Sequence, residues 1–388
     1  MNKKAILYAN KDKNEILTFL DDFQNQCELH FLNSKQGVFR IYESLVGKGF
    51  TIPLVIAGET LTDCHGDELL IELYKTYPNT LNILISKANI QILANAINKA
   101  HLFCSILEPT NKNEFSQIIT HALDEFDKNN ILQKDEIIKQ NELAIANEIQ
   151  MSLLPPKAPK WKDLEMVCYS KPAKEVGGDF YTYYGVQKNR VLVSKHIIVV
   201  GDVSGKGVSA ALLMAISLSR VDASLTMNFK ITERMEYLDK ILLPFTKPKK
   251  QNCALCMLEI SGVNTKHPIG KIVNAGCIPP YILKSDGSLE WVSARGFALG
   301  QGLGSQFGYK EVKINLSKGD TIILVSDGVI EAHNKNGEMI GFEGFQNILK
   351  NVTAKNTEMI LDQIQNKIEN FTLNAIQHDD MTILVVKI

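Results

Sequence analysis

Between residues 3 and 113, short apolar runs alternate with stretches of helical periodicity. The apolar runs are KAILYA, PLVIAG, LNILIS and LFCSIL, and the stretches between them include NEILTFLDDF, GDELLIELYKTY and IQILANAINKA. Apolar runs of strand length separated by amphipathic helices are typical of a parallel sheet with right-handed crossovers and helices on both faces. The pattern therefore predicts an α/β domain in this part of the chain.

The segment from 114 to 154 is long and charged, and it contains neither proline nor glycine. Ile131, Ile138 and Ile145 recur every seven residues, although the other seam position of the heptad is often polar. We predict a connector helix that ends at the proline pair 155–156. This helix either pairs with a second copy as an imperfect coiled coil, which we favour, or lies on its own domain.

From residue 161 onwards the pattern changes to many short β-rich runs with few helices between them. The runs include HIIVVGDV, CALCMLEI, GKIVNAG, TIILVSDG and MTILVVKI, and helices are predicted at Ser209–Val221, Glu233–Leu243 and Thr357–Phe371. This mixture is typical of an α+β domain with antiparallel sheets and helices packed on them. The predicted domains are residues 1–125, the connector 126–156 and residues 157–388.

Composition narrows the classes of function and location. A chain of 388 residues is longer than the length that usually folds around one hydrophobic core, so we expect two domains. Its net charge of -1 gives no long-range attraction to nucleic acid or anionic lipid. We expect neither a nucleic-acid nor a membrane partner, because no apolar run reaches the ~20 residues that span a bilayer. Seven scattered cysteines indicate a reducing cytoplasm. We interpret Cys253 and Cys256, inside the apolar run CALCMLEI, as buried strand residues rather than a metal or redox site.

Acidic residues follow or precede several of the β-rich runs. Asp179 lies in EVGGDFY, Asp202 in VVGDVSGKG, Asp327 in ILVSDGV, and Asp379 with Asp380 in HDDMTILVV. Buried carboxylates need a counter-charge, and no lysine or arginine run accompanies these. Oxygen ligands without a His/Cys cluster favour Mg²⁺ or Mn²⁺, and several converging carboxylates suit a two-metal site. The alternative for any single Asp-Gly pair is ordinary turn chemistry.

Six segments together resemble the SpoIIE/RsbU branch of the protein phosphatase 2C-like (PPM) family. They are ANEIQMSLLPP, AKEVGGDFY, GDVSGKGVSAALLMA, NAGCIPPYIL, LVSDGVIEA and DDMTILVV, and they occur in family order over residues 147–388. The resemblance implies a PPM-type sandwich of two antiparallel sheets flanked by helices, with metal ions at one edge. It also implies a protein serine/threonine phosphatase in which a metal-activated water attacks the phosphoester in line, without a covalent enzyme intermediate.

The same resemblance implies which residues serve the reaction. The implied metal ligands, for two ions of Mn²⁺ or Mg²⁺, are Asp179, Asp202, the carbonyl of Val203, Asp327, Asp379 and Asp380. Asp179, Asp202, Asp327 and Asp379 form the implied catalytic set. Asp380 has a supporting role, because related enzymes often carry asparagine at its position.

Two positions depart from the family pattern, and two more invite a functional interpretation. The family's Asn-Ala-Gly-His segment ends in Cys277 here, and Ala254 stands where a threonine is common. Neither change removes a metal ligand.

GDVSGKG is not a P-loop, because three residues rather than four separate its glycines and its lysine precedes glycine. We interpret Lys206 as a solvated turn lysine, with a substrate contact as the alternative. We interpret His378 as a loop histidine, with a general-acid role as the alternative.

The N-terminal block resembles a response-regulator receiver that has lost its phosphorylation chemistry. Ala9 and Asn10 stand where receivers carry an acidic pair, Gly58 replaces the phosphoacceptor aspartate, and Glu108 replaces the lysine; Ser86 remains. We predict a pseudo-receiver that serves docking, dimerisation or an unidentified signal. The alternative is a flavodoxin-like domain with an unrelated ligand.

The branch that the chain resembles also implies its partners. The expected substrate is a phosphorylated STAS-type anti-sigma-factor antagonist in a bacterial partner-switching pathway. The expected assembly is a homodimer through the connector helix, whose geometry the N-terminal domain would adjust. Two other hypotheses are a catalytically silent scaffold that binds a phosphoprotein, and a two-metal phosphodiesterase or nucleotidase, for which no nucleotide-binding motif is present.

Overall fold

A computed structural model describes residues 3–87, 90–108, 111–189, 192–373 and 375–388 of the chain. The chain divides into two compact units, with the boundary between Lys139 and Gln140. Each unit has its own hydrophobic cores on the faces of its sheets.

The N-terminal unit is built on a five-stranded parallel sheet. Its strands are β1 (Lys3–Ala9), β2 (Glu28–Leu32), β3 (Phe50–Gly58), β4 (Leu81–Ser86) and β5 (Cys104–Leu107). They lie in the order β2-β1-β3-β4-β5, which is the order of flavodoxin-like doubly wound folds. The predicted parallel α/β arrangement is therefore present.

Helices cover both faces of this sheet. They are α1 (Ile16–Leu20), α2 (Lys35–Gly47), α3 (Gly66–Thr76), α4 (Ile90–Lys99) and the first turns of α5 (Lys112–Leu153). Helix α2 begins after Ser34, whose Oγ accepts a hydrogen bond from Gly37 N at 3.2 Å and so caps the helix. Phe115 and Ile119 of α5 are fully buried in the core on one face, so the start of this helix belongs to the domain.

Helix α5 is 42 residues long and ends two residues before Pro155, as its sequence predicts. The boundary between the two compact units falls within it. Ile131, Ile138 and Ile145, the residues that recur every seven positions, are each more than half exposed. The described contacts therefore leave this apolar stripe of the helix uncovered.

The C-terminal unit contains two five-stranded antiparallel sheets. The first has the order β13-β10-β9-β8-β7, and the second has the order β12-β11-β14-β15-β6. In chain order the strands are β6 (Glu165–Lys171), β7 (Phe180–Asn189), β8 (Leu192–Val203), β9 (Cys253–Ser261), β10 (Ile269–Ala275), β11 (Tyr281–Leu283), β12 (Leu289–Trp291), β13 (Val312–Asn315), β14 (Thr321–Val325) and β15 (Met381–Lys387).

Helices pack on the outer face of each sheet, so the predicted sandwich is present. The helices are α6 (Val208–Leu225), α7 (Ile231–Thr246), α8 (Leu303–Phe307), α9 (Asp327–Ile330), α10 (Gly341–Lys350) and α11 (Thr357–Thr372). One core lies between the sheets, a second under α6 and α7, and a third under α10 and α11. The sequence prediction did not include α10, although its apolar residues lie on one face, with Phe345 and Leu349 buried.

Helix α6 is apolar and long enough to cross a bilayer by length and composition, and it is the one such helix among the residues described. Its side chains Leu213, Met214 and Leu218 are buried in the core against the first sheet. The packing accounts for the composition of α6 as that of a core helix.

Strand β8 shows why the apolar runs end in charged residues. Ile197 and Val199 face the core beneath the helices, while Ile198 and Val200 face the core between the sheets. A strand buried on both faces is apolar at successive positions until it reaches the sheet edge. Cys253 and Cys256 of the neighbouring β9 are fully buried, which confirms their interpretation as strand residues.

Candidate active site

The strand ends bring the predicted acidic residues to one edge of the sandwich. Asp202 is the second-last residue of β8, and Asp179 directly precedes β7, whose Phe180 pairs with Gly201 of β8. In the other sheet, Asp327 follows β14 and Asp379 lies just before the antiparallel β15. Antiparallel pairing places the end of one strand beside the start of the next, so each sheet contributes a pair.

Asp380, which directly follows Asp379, accepts a hydrogen bond from Gly178 N, which directly precedes Asp179, so the two pairs lie close together and their charges interact. Burial, and then the negative charge of Asp202, raise the pKa of Asp179 well above its usual value, while hydrogen bonds from Ser326 and Thr382 oppose the shift. Burial, and then the charges of Asp327 and Asp379, raise the pKa of Asp202 to about 7. The cluster therefore contains more negative charge than its surroundings neutralise.

Burial, followed by repulsion from Asp379 and Glu331, also raises the pKa of Asp327. Glu331 was not among the predicted site residues. It lies four residues after Asp327, at the end of the short helix α9, and its charge also acts on Asp202. The sequence signal for it was the segment LVSDGVIEA, in which the glutamate follows Asp327 by one helical turn.

The chemistry of the cluster fits a divalent cation. Asp179 Oδ2 is buried and has no hydrogen-bond partner, an arrangement that is costly without a counter-charge. Carboxylate oxygens are the ligands that Mg²⁺ and Mn²⁺ prefer. Within the described ranges, no three His, Cys, Asp or Glu side chains already surround a single point closely enough to hold an ion.

Two glycines let the loop before Asp179 approach the cluster. A Cβ atom on Gly178 would lie 2.5 Å from the carbonyl oxygen of Val203, and one on Gly177 would lie 2.5 Å from Asp380 Oδ2. Both distances are shorter than any real Cβ contact, so a side chain at either position would push the loop away. The loop and the Val203 carbonyl, a predicted metal ligand, are thus in direct contact.

The carboxylate of Asp380 holds this loop in place. It accepts hydrogen bonds from Ala173 N at 2.7 Å and Gly178 N at 2.5 Å, with Asp179 N at 3.4 Å. These backbone donors occupy much of its acceptor capacity. The contacts make Asp380 a positioning residue for the segment that carries Asp179.

Lys206 is an exposed lysine in the turn after β8, as interpreted, and it also pairs with a carboxylate of the cluster. Its Nζ lies 3.1 Å from Asp379 Oδ2, and it donates a hydrogen bond to the carbonyl of His378. The sequence contains no run of lysine or arginine here, and this single lysine was not predicted as a partner of the carboxylates. The Lys206 side chain is 45% exposed, so its charge acts on the outer side of the cluster and leaves the buried Asp179 and the half-buried Asp202 without a partner charge.

The end of α5 also grips the loop before Asp179. The buried Gln150 donates from Nε2 to Gly177 O at 2.7 Å and accepts at Oε1 from Gly177 N at 3.0 Å. One turn earlier, Asn147 Nδ2 donates to the carbonyl of Glu175. Sequence reasoning missed this contact, although both amides lie in the segment ANEIQMSLLPP.

The two departures from the family pattern lie beside Asp202. Ala254 of β9 pairs directly with Asp202 of β8. Cys277 N donates to Asn274 Oδ1 at 2.8 Å, and burial, followed by nearby charges that include Asp202, raises the pKa of the Cys277 thiol well above its usual value. The thiol therefore stays protonated near neutral pH and does not serve as a nucleophile.

His378 lies at the outer side of the cluster in the loop before β15. Its ring is exposed and meets the ring of His333 edge-on, with 5.3 Å between the centroids. This position agrees with its interpretation as a loop histidine.

Comparison with known proteins gives consistent relatives. A family model described as "Stage II sporulation protein E (SpoIIE)" matches residues 194–388. The phosphoserine phosphatase RsbU of Bacillus subtilis is 26% identical over 252 residues, which are 64% of this chain and 70% of RsbU. Protein IcfG of Synechocystis sp. is 28% identical over 280 residues, 64% of this chain but 42% of IcfG, so less than half of that protein is matched.

Solved structures show the same fold for the C-terminal unit. The SiaA-PP2C domain of Pseudomonas aeruginosa has a TM-score of 0.55 at 20% identity, covering 66% of this chain and 98% of that domain. The PP2C phosphatase domain of SpoIIE from Bacillus subtilis, solved with a fragment of its regulatory domain, has a TM-score of 0.50 at 18% identity, covering 60% and 64%. At these identities the likeness establishes a PP2C-type fold.

Proposed function

Because this chain belongs to the SpoIIE family, we propose that it is a metal-dependent protein serine/threonine phosphatase. The observation that carries the proposal is the convergence of Asp179, Asp202, Asp327 and Asp379 at one sheet edge, where burial and mutual repulsion raise the pKa of three of them. A site with unmet negative charge and hard oxygen donors suits divalent cations and the phosphate chemistry that they support.

The proposed ligands hold two ions of Mn²⁺ or Mg²⁺. They are the side chains of Asp179, Asp202, Asp327 and Asp379 and the carbonyl of Val203, with Asp380 in support. Bound there, the ions would activate a water and neutralise the charge of the phosphoryl group. No side-chain nucleophile is required, in agreement with the protonated state of the nearby Cys277.

Other residues of the chain keep this centre in position. Two side chains bind the loop that carries Asp179. Asp380 accepts from Gly178 N, and Gln150 bonds to the N–H and carbonyl of the adjacent Gly177. Lys206 fixes Asp379 from the solvent side and places a positive charge where a phosphate group would enter. These contacts are available before substrate binds, so the loop is pre-organised.

We further propose the substrate, the assembly and the location. The substrate is a phosphorylated STAS-type anti-sigma-factor antagonist, supported by the likeness to RsbU, which is a phosphoserine phosphatase. The protein acts in the cytoplasm as a homodimer through its connector helix. The exposed stripe of Ile131, Ile138 and Ile145 on α5 supports the dimer, because such a stripe is usually covered by another surface.

We propose that the N-terminal domain, residues 1–125, is a pseudo-receiver. A connector, residues 126–156, joins it to the proposed phosphatase domain, residues 157–388. The strand order of the N-terminal domain supports the pseudo-receiver, and Asn10 and Gly58 offer no carboxylate for phosphorylation. Deleting residues 1–125 should change turnover or the oligomeric state measured by light scattering. Unchanged kinetics and mass would remove the case for regulation by this domain.

A second candidate is a catalytically silent scaffold that binds a phosphoprotein. The observation in its favour is that the described carboxylates are not already arranged around one ion. Hydrolysis of p-nitrophenyl phosphate with Mn²⁺, compared with a chelator, separates the two candidates. Nucleotide substrates in the same assay test a phosphodiesterase or nucleotidase.

The decisive control is Asp327→Asn, which removes one charge and little volume. We expect the parent protein to hydrolyse p-nitrophenyl phosphate and the phosphorylated antagonist with Mn²⁺, and the variant to lose this activity. A parent without activity, or a variant as fast as the parent, would reject the assignment.

A further inference from the structure

A cavity of about 410 Å³ lies directly beside the carboxylate cluster. Gly328, Glu331 and Asp379 line it on the side of the cluster, and from there it extends between α11 and the strands β6 and β15. Its volume is within the range of about 300–1,000 Å³ that is usual for ligand sites. A chain whose phosphate reaches the cluster would therefore pass over this cavity.

The floor of the cavity is apolar. Ile368, Met381 and Ile383 form it, and each of them is otherwise buried in the core beneath α11. At the rim, Ile376 is 83% exposed. A large apolar side chain that stays in water beside an apolar floor gains free energy when another apolar group covers both.

The charges around the cavity are mainly negative. Its lining contains Glu331, Glu369 and Asp379 but Lys171 as its one lysine, together with the paired rings of His333 and His378. An acidic side chain would meet like charge at both ends of the cavity. An apolar side chain can rest on the floor without approaching the carboxylates.

We propose that this cavity receives an apolar side chain of the phosphoprotein substrate, from a residue within a few positions of the phosphoserine, and that it sets the sequence preference of the enzyme. The inference rests on the proposed phosphatase function. The occupant follows from continuity, because Asp379 borders both the cluster and the cavity. Since an extended chain advances about 3.3 Å per residue, a neighbouring side chain can enter the cavity while the phosphate stays at the cluster.

Phosphopeptides test this directly. The set places Leu, Ala, Lys or Glu at each position from three residues before the phosphoserine to three after it, in an otherwise constant sequence. We expect kcat/KM to be about tenfold higher with Leu than with Ala at one or more positions, and lowest with Glu there. Rates within twofold of each other at every position would overturn the proposal.

Two variants locate the preference in the cavity. Ala375→Phe fills it from the wall and Ile376→Ser removes the apolar rim, so both should reduce the Leu-to-Ala ratio towards one. The matched control is Met359→Ser, because Met359 is also an exposed apolar residue but lies on α11 outside the cavity. An unchanged ratio in both cavity variants, or an equal loss in the control, would contradict the assignment.

p-Nitrophenyl phosphate separates failure of this inference from failure of the proposed function. It has no amino-acid residue beside its phosphate, so it reports the metal-dependent chemistry without the peptide preference, and its Mn²⁺-dependent hydrolysis should be the same in the parent and Met359→Ser. A parent that does not hydrolyse it contradicts both proposals. A parent that hydrolyses it but shows no preference among the peptides contradicts the cavity proposal alone.

Discussion

In each of the two units, polar residues lie where the strands end, and we call this rim of strand ends the edge of the unit. The two edges differ in charge. In the N-terminal unit, a cavity of about 390 Å³ is bordered by Lys11 and Lys87 as well as by Asp12, Glu59 and Glu108. In the C-terminal unit, Lys206 alone among the described cations pairs with a carboxylate of the cluster. At the first edge, charges of both signs partly offset each other, whereas the carboxylates of the second edge outnumber the nearby positive charges and favour cations.

Hydrogen bonding shows the same difference. Asn10 donates to the hydroxyl of Tyr8 at 3.1 Å and accepts from Lys11 N at 3.0 Å, so the amide that replaces a receiver carboxylate is satisfied by its neighbours. At the other edge, Asp179 Oδ2 is buried without a partner. Strand ends provide the location in both domains, but the chemistry depends on whether the protein's own groups already satisfy the residues placed there.

The largest expected effect separates the two edges by activity. Asp202→Asn should lower kcat/KM for p-nitrophenyl phosphate with Mn²⁺ by about 1,000-fold, because a lost ligand forfeits several kcal/mol of charge stabilisation. Glu59→Gln, the same change at the N-terminal edge, should stay within twofold. Equal losses in both variants would mean that the two edges do not differ in the way described.

A smaller effect tests how the loop before Asp179 is held at the carboxylate cluster. Gln150→Leu leaves Gly177 N and O without partners, so kcat/KM should fall by about 10- to 100-fold and half-maximal activity should need more Mn²⁺. Ser152→Ala, on the same helix, is the control, since its exposed hydroxyl bonds only to Ile149 O of the preceding turn. An unchanged Mn²⁺ dependence in Gln150→Leu would show that α5 does not position the loop.

The N-terminal edge should resist restoration of a phosphoacceptor. In Gly58→Asp the new Cβ would lie 2.4 Å from Asn10 Oδ1, so we expect a loss of about 1–2 kcal/mol in the free energy of unfolding. Acetyl phosphate with Mg²⁺ should add no phosphate detectable by mass spectrometry. Gly47→Asp is the control, because a Cβ there meets nothing within 4 Å. Phosphorylation of Gly58→Asp would contradict the description of this edge as one where Asn10 already has its hydrogen-bond partners.

The smallest effect is a pH dependence of the free energy of unfolding that arises at the carboxylate cluster. The pKa of Asp202 is raised to about 7, while in the unfolded chain it is about 3.9. The folded state therefore binds the proton more tightly, and with a chelator the free energy of unfolding should decrease as pH rises from about 4 to 7 and then level off.

Chemical unfolding with EDTA should thus give about 1 kcal/mol more stability at pH 6 than at pH 8. Mn²⁺ should remove this trend, since cations compete with protons for the same oxygens. Asp202→Asn should flatten it without metal. A chelated parent protein that is more stable at pH 8 would contradict the charge imbalance.

The sequence predicts the position of the site because buried strands leave little choice of where charge can go. In β8, every residue from Ile197 to Val200 is buried, so Asp202 can lie only where the strand reaches the edge. The same holds for β15, with Asp379 and Asp380 just before it. Apolar runs of this kind give both the sheet and the position of its polar ends.

What the sequence could not provide were contacts between distant polar residues. Lys206 and Asp379 are 173 residues apart, and nothing local to either of them specifies the pair. Gln150 is one of many amides on a charged helix, and its role depends on the backbone of Gly177. Periodicity reports which face of an element is buried, not which backbone groups a polar side chain reaches.

The position of β15 has a consequence for synthesis of the protein. Among the described strands this one is the last to be synthesised, yet it lies inside its sheet between β14 and β6, and Asp379 and Asp380 come directly before it. A nascent chain whose synthesis has not reached residue 379 therefore lacks both an internal strand of this sheet and part of the proposed catalytic centre. Translation that stops before residue 379 should yield an inert fragment for degradation, never an unregulated hydrolase.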